Sequence, residues 1–243
     1  MEIPLPLKLR YNKMQTMGKV LNAIKKGEII LIYDDDGREG ETDLVIGSQF
    51  INQDHIRLMR KDGGGLICIA IHPNIAEALG IPFLVDILEN SATRYNVLND
   101  LKADDIPYDE KSSFSITVNY RGTFTGITDK DRALTIRELA KVGKEVITSG
   151  SNAKFGLNFR SPGHVSLLRA AEGLLENRQG HTELSVELME QSGIIPMATI
   201  CEMLGDNGNS LSKDQALAYA KEKGYVFIEG REIIKKIKTD GLI

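Results

Sequence analysis

Six carboxylates stand within one ten-residue stretch of this chain, and side chains of this type and density could hold a cation or move protons. The stretch, residues 34–43, reads DDDGREGETD and also contains Arg38 and two glycines. Like charges this close together repel one another, and the repulsion is tolerated only where the loop is solvated or where a cation binds. Taken alone, the stretch leaves both interpretations open, and residues elsewhere in the chain must decide between them.

Three further polar features stand where apolar segments end or are interrupted. His164 ends the sequence SPGH, which we predict to be a sharp turn. Arg178 and His181 open a predicted helix, whose free N–H groups and positive dipole favour a phosphate, although a capping or surface histidine is also common there. Glu202 lies in ATICEML, and a buried carboxylate is costly unless it binds a ligand, is neutralised, or pairs with a cation such as Arg169.

The pattern of apolar residues predicts the elements that must position these side chains. Buried runs or alternating strands are predicted at Ile29–Tyr33, Leu44–Ile46, Leu66–Ile71, Phe114–Tyr120, Met197–Met203 and Tyr225–Ile228. Helices are predicted at Met14–Lys26, Asp54–Arg60, Asn74–Leu79 and Thr182–Gln191. A further helix is predicted to begin after a cap at Thr128 or Asp129. Residues from about 83 to 111 show no clear pattern. These interleaved elements indicate one α/β-type domain, preceded by an arm over residues 1–13.

The composition limits the class of function. A formal net charge of −4 argues against a nucleic-acid-binding surface as the main function. No apolar segment approaches the ~18 residues needed to span a bilayer, and charged residues interrupt the N-terminus early, so a cytoplasmic protein without a membrane partner is expected. Cys68 and Cys201 lie in apolar surroundings, which predicts buried free thiols and favours core packing over a redox role for Cys68.

Two known loop patterns bear on the acidic stretch. The calcium-loop pattern D-x-D-x-D-G would place its first ligand on Ile32, within the predicted strand, and therefore fails. A strand followed by Asp34 and Asp36 also resembles the aspartyl-nucleophile loop of haloacid-dehalogenase-like, Mg²⁺-dependent phosphatases, with Asp206 in the place of their late acidic loop. This alternative leaves several charged residues without a role, namely Arg38, Glu39, Glu41, His164, Arg178 and His181.

Five motifs in a fixed order carry a more specific resemblance. They are DGREGETD, TFTGITDKDR, SPGHVSLLRA, RQGHTE and ICEML. Together they resemble 3,4-dihydroxy-2-butanone 4-phosphate synthase of riboflavin biosynthesis, in its stand-alone archaeal form, over roughly residues 17 to 230. Bacterial members commonly carry RENEGD in the acidic loop and RPGH before the histidine, whereas this chain has REGETD and begins SPGH with Ser161.

The resemblance implies a lyase that converts D-ribulose 5-phosphate into L-3,4-dihydroxy-2-butanone 4-phosphate and formate, through a metal-stabilised enediolate and a skeletal rearrangement. It implies Mg²⁺ or Mn²⁺, in one or two ions per site, with Glu39 and His181 as ligands and Glu41 as a candidate ligand of a second ion. Carboxylate and imidazole ligands suit these metals. It further implies a homodimer with sites near the subunit interface. The implied fold is α+β (mixed α/β layers), a twisted mixed β-sheet flanked by helices in a single domain over residues 14–243.

The resemblance also implies roles for individual residues. His164, Glu202 and Asp43 are the expected catalytic groups, because several acid–base steps need several titratable side chains. Arg178, Thr182 and Thr125 are the expected phosphate contacts. The full set of expected substrate contacts is Arg38, Glu39, Asp43, Thr125, Arg178, Gln179, Gly180, His181, Thr182 and Glu202. Gly37 and Gly40 are expected to let the acidic loop close over the substrate, and Asp34–Asp36 receive no role.

Overall fold

A seven-stranded sheet lies at the centre of the protein, whose computed structural model describes residues 17–150 and 155–239. The strands are β1 (Ile30–Tyr33), β2 (Thr42–Gly47), β3 (Cys68–Ile71), β4 (Phe114–Tyr120), β5 (Phe159–Arg169), β6 (Met197–Glu202) and β7 (Val226–Glu229). Their order across the sheet is β4-β5-β3-β6-β2-β1-β7. The pairs β1–β7 and β3–β5 are parallel and the other four pairs are antiparallel, so the sheet is mixed and the fold is α+β.

Helices pack on both faces of this sheet. In chain order they are α1 (residues 17–25), α2 (Gln53–Leu58), α3 (Pro73–Leu79), α4 (Leu84–Ser91), α5 (Val97–Asp100), α6 (Asp129–Ser149), α7 (Phe155–Asn158), α8 (His181–Gln191), α9 (Lys213–Lys223) and α10 (Gly230–Thr239). Among the described helices, none is long and apolar enough to cross a lipid bilayer. Thr128 caps α6, because its side chain accepts a hydrogen bond from the Asp131 N–H. Of the two predicted caps, Thr128 and Asp129, the structure therefore has Thr128.

Successive residues of each strand point to opposite faces, which divides the core in two. Leu44 packs in the cluster that α2, α3, α6 and α9 cover, whereas its neighbour Val45 packs in the cluster beneath α1, α8 and α10. Asp43 is two residues before Val45 and therefore lies on the α8 face, at the end of the sheet. This alternation brings the polar ends of β2 and β6 under the beginning of α8.

Most predicted elements are confirmed with shifted ends, and Phe114–Tyr120 matches β4 residue for residue. The sharp turn predicted at SPGH is wrong, because residues 161–164 lie inside β5. Val118 pairs with Val165, whereas the next residue, Asn119, pairs with Arg160. Residues 161–164 therefore form a bulge in the ladder. Helices α4 and α5 lie in the interval where the sequence shows no pattern, and the predicted arm over residues 1–13 lies outside the described residues.

Candidate active site

The acidic stretch is the connection of the β1–β2 hairpin, and Asp34 gives this loop its shape. The Asp34 side chain is buried, and its two carboxylate oxygens accept hydrogen bonds from the backbone N–H groups of Glu39 and Glu41, at 3.0 Å each. The backbone N–H of Asp34 in turn donates to the Glu41 carbonyl oxygen at 3.2 Å. A carboxylate that accepts two amide hydrogens fixes the loop between them. The loop therefore presents Glu39 in a defined position.

The first residue of α8, His181, lies buried against this loop. Its Nδ1 atom is 3.5 Å from Glu39 Oε2, and its Nε2 atom is 3.8 Å from Asp43 Oδ1 and 3.2 Å from the Ile32 carbonyl oxygen. Strand β1, the loop and β2 thus each contribute one group around the imidazole. The acidic stretch and the RQGHTE motif therefore meet at one place in the fold.

Glu202 and Asp43 are direct partners in the β2–β6 ladder. The Glu202 carboxylate accepts a hydrogen bond from the Leu66 backbone N–H at 2.7 Å. Gly65 makes room for it, since a Cβ atom there would lie 2.4 Å from Glu202 Oε2. The alternative ion pair of Glu202 with Arg169 does not form, because Arg169 donates instead to Glu77, Glu172 and the Ile81 carbonyl oxygen.

Burial and mutual charge shift the titration of these groups. Burial raises the pKa of Asp43 to about 8, and burial likewise raises the pKa of Glu202 above its usual range. Burial alone would lower the pKa of His181, but the charges of Asp43, Glu39 and Asp34 outweigh it and raise this pKa to about 9. The hydrogen bond with His181 lowers the pKa of Glu39. The site therefore holds protons that are exchangeable near neutral pH.

A metal-ligating set lies at the same place. Asp34, Glu39 and His181 each offer a ligand atom within 4.8 Å of the others, the one such cluster of three within residues 17–150 and 155–239. Within this cluster, Glu39 and His181 are more available to bind a metal ion, because Asp34 already accepts two amide hydrogens. Glu41 lies outside this cluster, and its carboxylate accepts a hydrogen bond from the Ser210 hydroxyl. A carboxylate and an imidazole suit Mg²⁺ or Mn²⁺.

Two guanidinium groups lie over the beginning of α8. Arg178 donates to Glu183 at 2.6 Å and to Asp109 at 2.5 Å, and Arg38 donates to both oxygens of Asp109 at 2.6 Å. Gly180 precedes the helix, and a Cβ atom there would lie 2.4 Å from Arg178 Nη1 and 3.0 Å from Arg38 Nη1. Two cations beside a helix N-terminus form an anion-binding arrangement.

These groups surround one cavity of about 140 Å³. Six of the residues expected from the sequence line it, namely Glu39, Asp43, Arg178, His181, Thr182 and Glu202. Cys68 lines it as well, and burial raises the pKa of this thiol well above its usual range, so the thiol stays protonated. The cavity therefore joins acid–base groups, a metal-ligating pair and an anion-binding end.

Tyr108 and Asp109 also line the cavity, and neither is among the site residues expected from the sequence. They lie in the interval without periodicity, and their contacts to Arg38 and Arg178 join residues about 70 positions apart in the chain. An irregular segment has no periodic pattern of residues, so the contact of one of its charged residues with a distant arginine cannot be predicted from spacing. The acidic run around Asp109 was the only local signal.

Other expected site residues lie away from the cavity lining. His164 and Thr125 form a separate cluster around Asn119, whose Nδ2 atom is 3.1 Å from His164 Nδ1 and 3.4 Å from the Thr125 carbonyl oxygen. His164 and Thr125 are both exposed. Arg38, Glu41, Gln179 and Gly180 do not line this cavity either, and Arg38 and Gln179 line another cavity, together with Asp34. Within one chain, His164 therefore lies apart from the cavity that Glu202 lines.

The residues of the phosphatase alternative do not converge. Asp34 is bound to the loop amides, and Asp36 accepts a hydrogen bond from the Tyr33 hydroxyl at 2.5 Å. Asp206 lies exposed in the turn after β6. Neither Asp36 nor Asp206 belongs to the metal-ligating cluster of the described residues.

Comparison with known proteins gives the family. A family model described as 3,4-dihydroxy-2-butanone 4-phosphate synthase matches residues 18–236. The chain belongs to the 3,4-dihydroxy-2-butanone 4-phosphate synthase family. It is accordingly a lyase of the riboflavin pathway, and the phosphatase alternative is wrong.

Relatives and solved structures of synthases cover most of the chain. The synthase of Methanothermobacter thermautotrophicus is 51% identical over 218 residues, which are 89% of this chain and 93% of that relative. The synthase of Archaeoglobus fulgidus is 52% identical over 217 residues, which are 88% and 91% of the two chains. A synthase crystal structure in complex with two magnesium ions has a TM-score of 0.73 and 29% identity, covering 93% of this chain and 99% of its own.

Proposed function

We propose that the cavity described above binds D-ribulose 5-phosphate and converts it into L-3,4-dihydroxy-2-butanone 4-phosphate and formate. The observation that carries this proposal is the arrangement within one cavity, where Asp43 and Glu202 lie near His181 and the guanidinium of Arg178 stands at the beginning of α8. A sugar phosphate needs both an anion-binding end and titratable groups beside its carbonyl. A phosphate metabolite of this kind is met in the cytoplasm, where we place the reaction.

Glu39 and His181 would hold Mg²⁺ or Mn²⁺, with Glu41 as a candidate for a second ion. The fit rests on the 3.5 Å separation of His181 Nδ1 and Glu39 Oε2 and on the depressed pKa of Glu39, which keeps this carboxylate ionised. Bound there, the metal would supply Lewis-acid stabilisation of negative charge on the substrate oxygens. Asp34 would act on this site through the loop backbone, by holding the N–H groups on either side of Gly40.

Asp43 and Glu202 would move the protons of the reaction. Burial raises the pKa of both carboxyl groups, and the pKa of Asp43, at about 8, lets this group gain or lose a proton near neutral pH. The Leu66 N–H holds the Glu202 carboxylate in place, and the ladder fixes Asp43 opposite it. Removal of the C3 proton and delivery of protons to departing oxygens would fall to this pair.

The phosphate would bind at the beginning of α8, beside Arg178 and Thr182. Thr182 is buried and lines the cavity in the first turn of the helix, where backbone N–H groups have no partner within the helix. Gly180 allows both guanidinium groups to approach the helix end. Arg38 would complete this end of the site together with the backbone at Gln179.

A homodimer would give His164 and Thr125 a role at the site. Next to Thr125, the Phe124 side chain is 92% exposed, and Leu66 and Leu204 beside Glu202 are each 48% exposed. Large exposed apolar side chains close to a polar site indicate a surface that another chain covers. We propose that a second copy covers this surface and that its His164 and Thr125 complete the cavity.

The decisive experiment is incubation of the protein with ribulose 5-phosphate and Mg²⁺. We expect formate, measured with formate dehydrogenase, without release of inorganic phosphate, and we expect EDTA to abolish the reaction. Release of inorganic phosphate without formate would overturn the proposal. Light scattering of the active protein would test the dimer, and a stable active monomer would contradict it.

A further inference from the structure

Asp109 occupies the anion-binding end of the cavity. Its carboxylate accepts two hydrogen bonds from Arg38 Nη2 and one from Arg178 Nη2, at 2.5–2.6 Å. The Asp109 side chain is only 9% exposed, and it lines the cavity together with Thr182 and His181. A carboxylate held by two arginines has the donor set that a phosphate uses.

The carboxylate leaves part of this donor set unused. Arg38 Nη1 and Arg178 Nε are buried and have no hydrogen-bond partner, although Arg38 Nη1 lies 3.8 Å from Asp34 Oδ2 in a longer ion pair. A carboxylate has two oxygens and one negative charge, whereas a phosphate monoester has three terminal oxygens and a charge of about −1.5 to −2 at neutral pH. Buried donors without an acceptor are rare in folded proteins and need an explanation. A phosphate at this place would have more acceptors to offer both guanidinium groups.

The segment that carries Asp109 can leave without disturbing the sheet. Residues 102–112, between α5 and β4, contain neither helix nor strand. Tyr108 lies over Arg38, with 5.4 Å between the guanidinium carbon and the ring centroid, and Ile106 lines the cavity. Segments without regular backbone hydrogen bonding open at a lower free-energy cost than strands of the core.

We propose that Asp109 is an internal anion that fills the phosphate position in the substrate-free protein, and that the substrate phosphate displaces it. This inference rests on the proposed function, since it places the phosphate beside Arg178. Asp109 then determines affinity by competition, because binding requires the state in which the carboxylate has left the two arginines. A residue that only positioned the arginines would have the opposite effect, since its loss would weaken phosphate binding.

The test compares Asp109→Asn with wild-type protein. Asparagine keeps the shape of the side chain but removes the charge that competes with phosphate. We expect the variant to bind inorganic phosphate about tenfold more tightly in calorimetry and to lower the KM for ribulose 5-phosphate. Glu110→Gln removes one charge from the neighbouring, exposed position and should leave both constants unchanged.

A second substitution shows whether the gain arises at this site. In the Arg178→Ala background, Asp109→Asn should tighten phosphate binding by a smaller factor than in the wild-type background, because one of the two arginines for which Asp109 and phosphate compete is absent. Unchanged or weaker phosphate binding by folded Asp109→Asn protein, with its melting temperature as the check of folding, would overturn the inference. That outcome differs from failure of the proposed function, in which wild-type protein would release no formate from ribulose 5-phosphate.

Discussion

Asp43 on β2 and Glu202 on β6 lie directly opposite each other in the sheet, as two carboxyl groups on adjacent strands. Burial raises the pKa of both groups, and the negative charge of Glu202 raises the pKa of Asp43 further. Two acids on the rigid end of a sheet keep a fixed separation during proton transfer, which an acid on a loop does not.

Glu202→Gln is expected to retain substrate binding and to lose turnover. Glutamine can still accept the hydrogen bond of the Leu66 N–H through its carbonyl oxygen, but it cannot exchange a proton. We expect formate release to fall by about 100-fold or more, with little change in substrate affinity by calorimetry. The control is Glu89→Gln, at an exposed position of α4. Formate release at the wild-type rate would remove Glu202 from the mechanism.

The metal-free protein is expected to lose stability as the pH rises. Asp43, with a pKa of about 8, and His181, with a pKa of about 9, hold protons more tightly in the folded protein than in the unfolded chain. Their contribution is complete below the unfolded-state values of about 4 and 6.5 and is lost as the pH rises through the folded values. The lowered pKa of Glu39 acts in the acidic range and leaves this window unaffected.

Melting temperatures measured in EDTA from about pH 5 to about pH 9 would check this expectation. Asp43→Asn should show a smaller decrease over the same range, because asparagine does not titrate and removes the charge that raises the pKa of His181. A melting temperature that stays level or rises with pH in the wild-type protein would contradict the assignment. With Mg²⁺ present the loss should shrink, since metal binding becomes stronger as His181 loses its proton.

Asp34→Asn is expected to weaken metal binding although Asp34 is not among the proposed ligands. An amide has one carbonyl oxygen, so it cannot accept the N–H groups of both Glu39 and Glu41 as the carboxylate does. We expect the affinity for Mn²⁺, followed by electron paramagnetic resonance, to fall about 10- to 100-fold. Asp35→Asn, at an exposed neighbouring position, is the matched control. Equal affinities of the two variants would show that Asp34 does not shape the site.

Gly65→Ala is expected to lower activity and stability together. The added Cβ atom would lie 2.4 Å from Glu202 Oε2 and 2.8 Å from the Glu202 carbonyl oxygen, so the carboxylate and the β6 backbone would have to move. Overpacking of this kind costs about 1–3 kcal/mol, which a melting curve detects, and displacement of Glu202 should reduce formate release. Gly18→Ala is the control, since that Cβ meets no atom within 4 Å and lies in α1. Identical melting and activity in both variants would contradict the packing argument.

The residues expected at the site come from motifs that resemble those of the synthase family, and these motifs stand beside strong apolar runs. Glu39 lies in the loop after β1, Asp43 near the start of β2, His181 at the start of α8 and Glu202 at the end of β6. Their convergence needs only that these elements share one sheet end. Asp34 lay in the same stretch without a role, because the hydrogen bonds that its carboxylate accepts from backbone N–H groups leave no trace in residue spacing. Its function became visible only with the loop geometry.

Asp109 and His164 show where sequence reasoning stops. Asp109 reaches Arg38 and Arg178 from an irregular segment, and such a contact depends on the path of a loop rather than on a period. His164 was expected in a turn, but it lies in a bulge of β5. There the backbone N–H of His164 donates to Asn119 Oδ1 at 2.9 Å. The positions of both residues depend on tertiary packing, which local propensity does not encode.

The ladder partnership of β2 with β6 has a consequence for synthesis of the protein. Asp43 and Glu202 come from distant parts of the chain, and Glu202 meets Asp43 only when β6 has inserted between β2 and β3. Pairings over long sequence separations form late and slowly in folding. A nascent chain that has completed the acidic loop but not β6 would therefore possess the candidate metal ligand Glu39 without a proton-transfer pair, and catalysis would begin only once almost the whole polypeptide has left the ribosome.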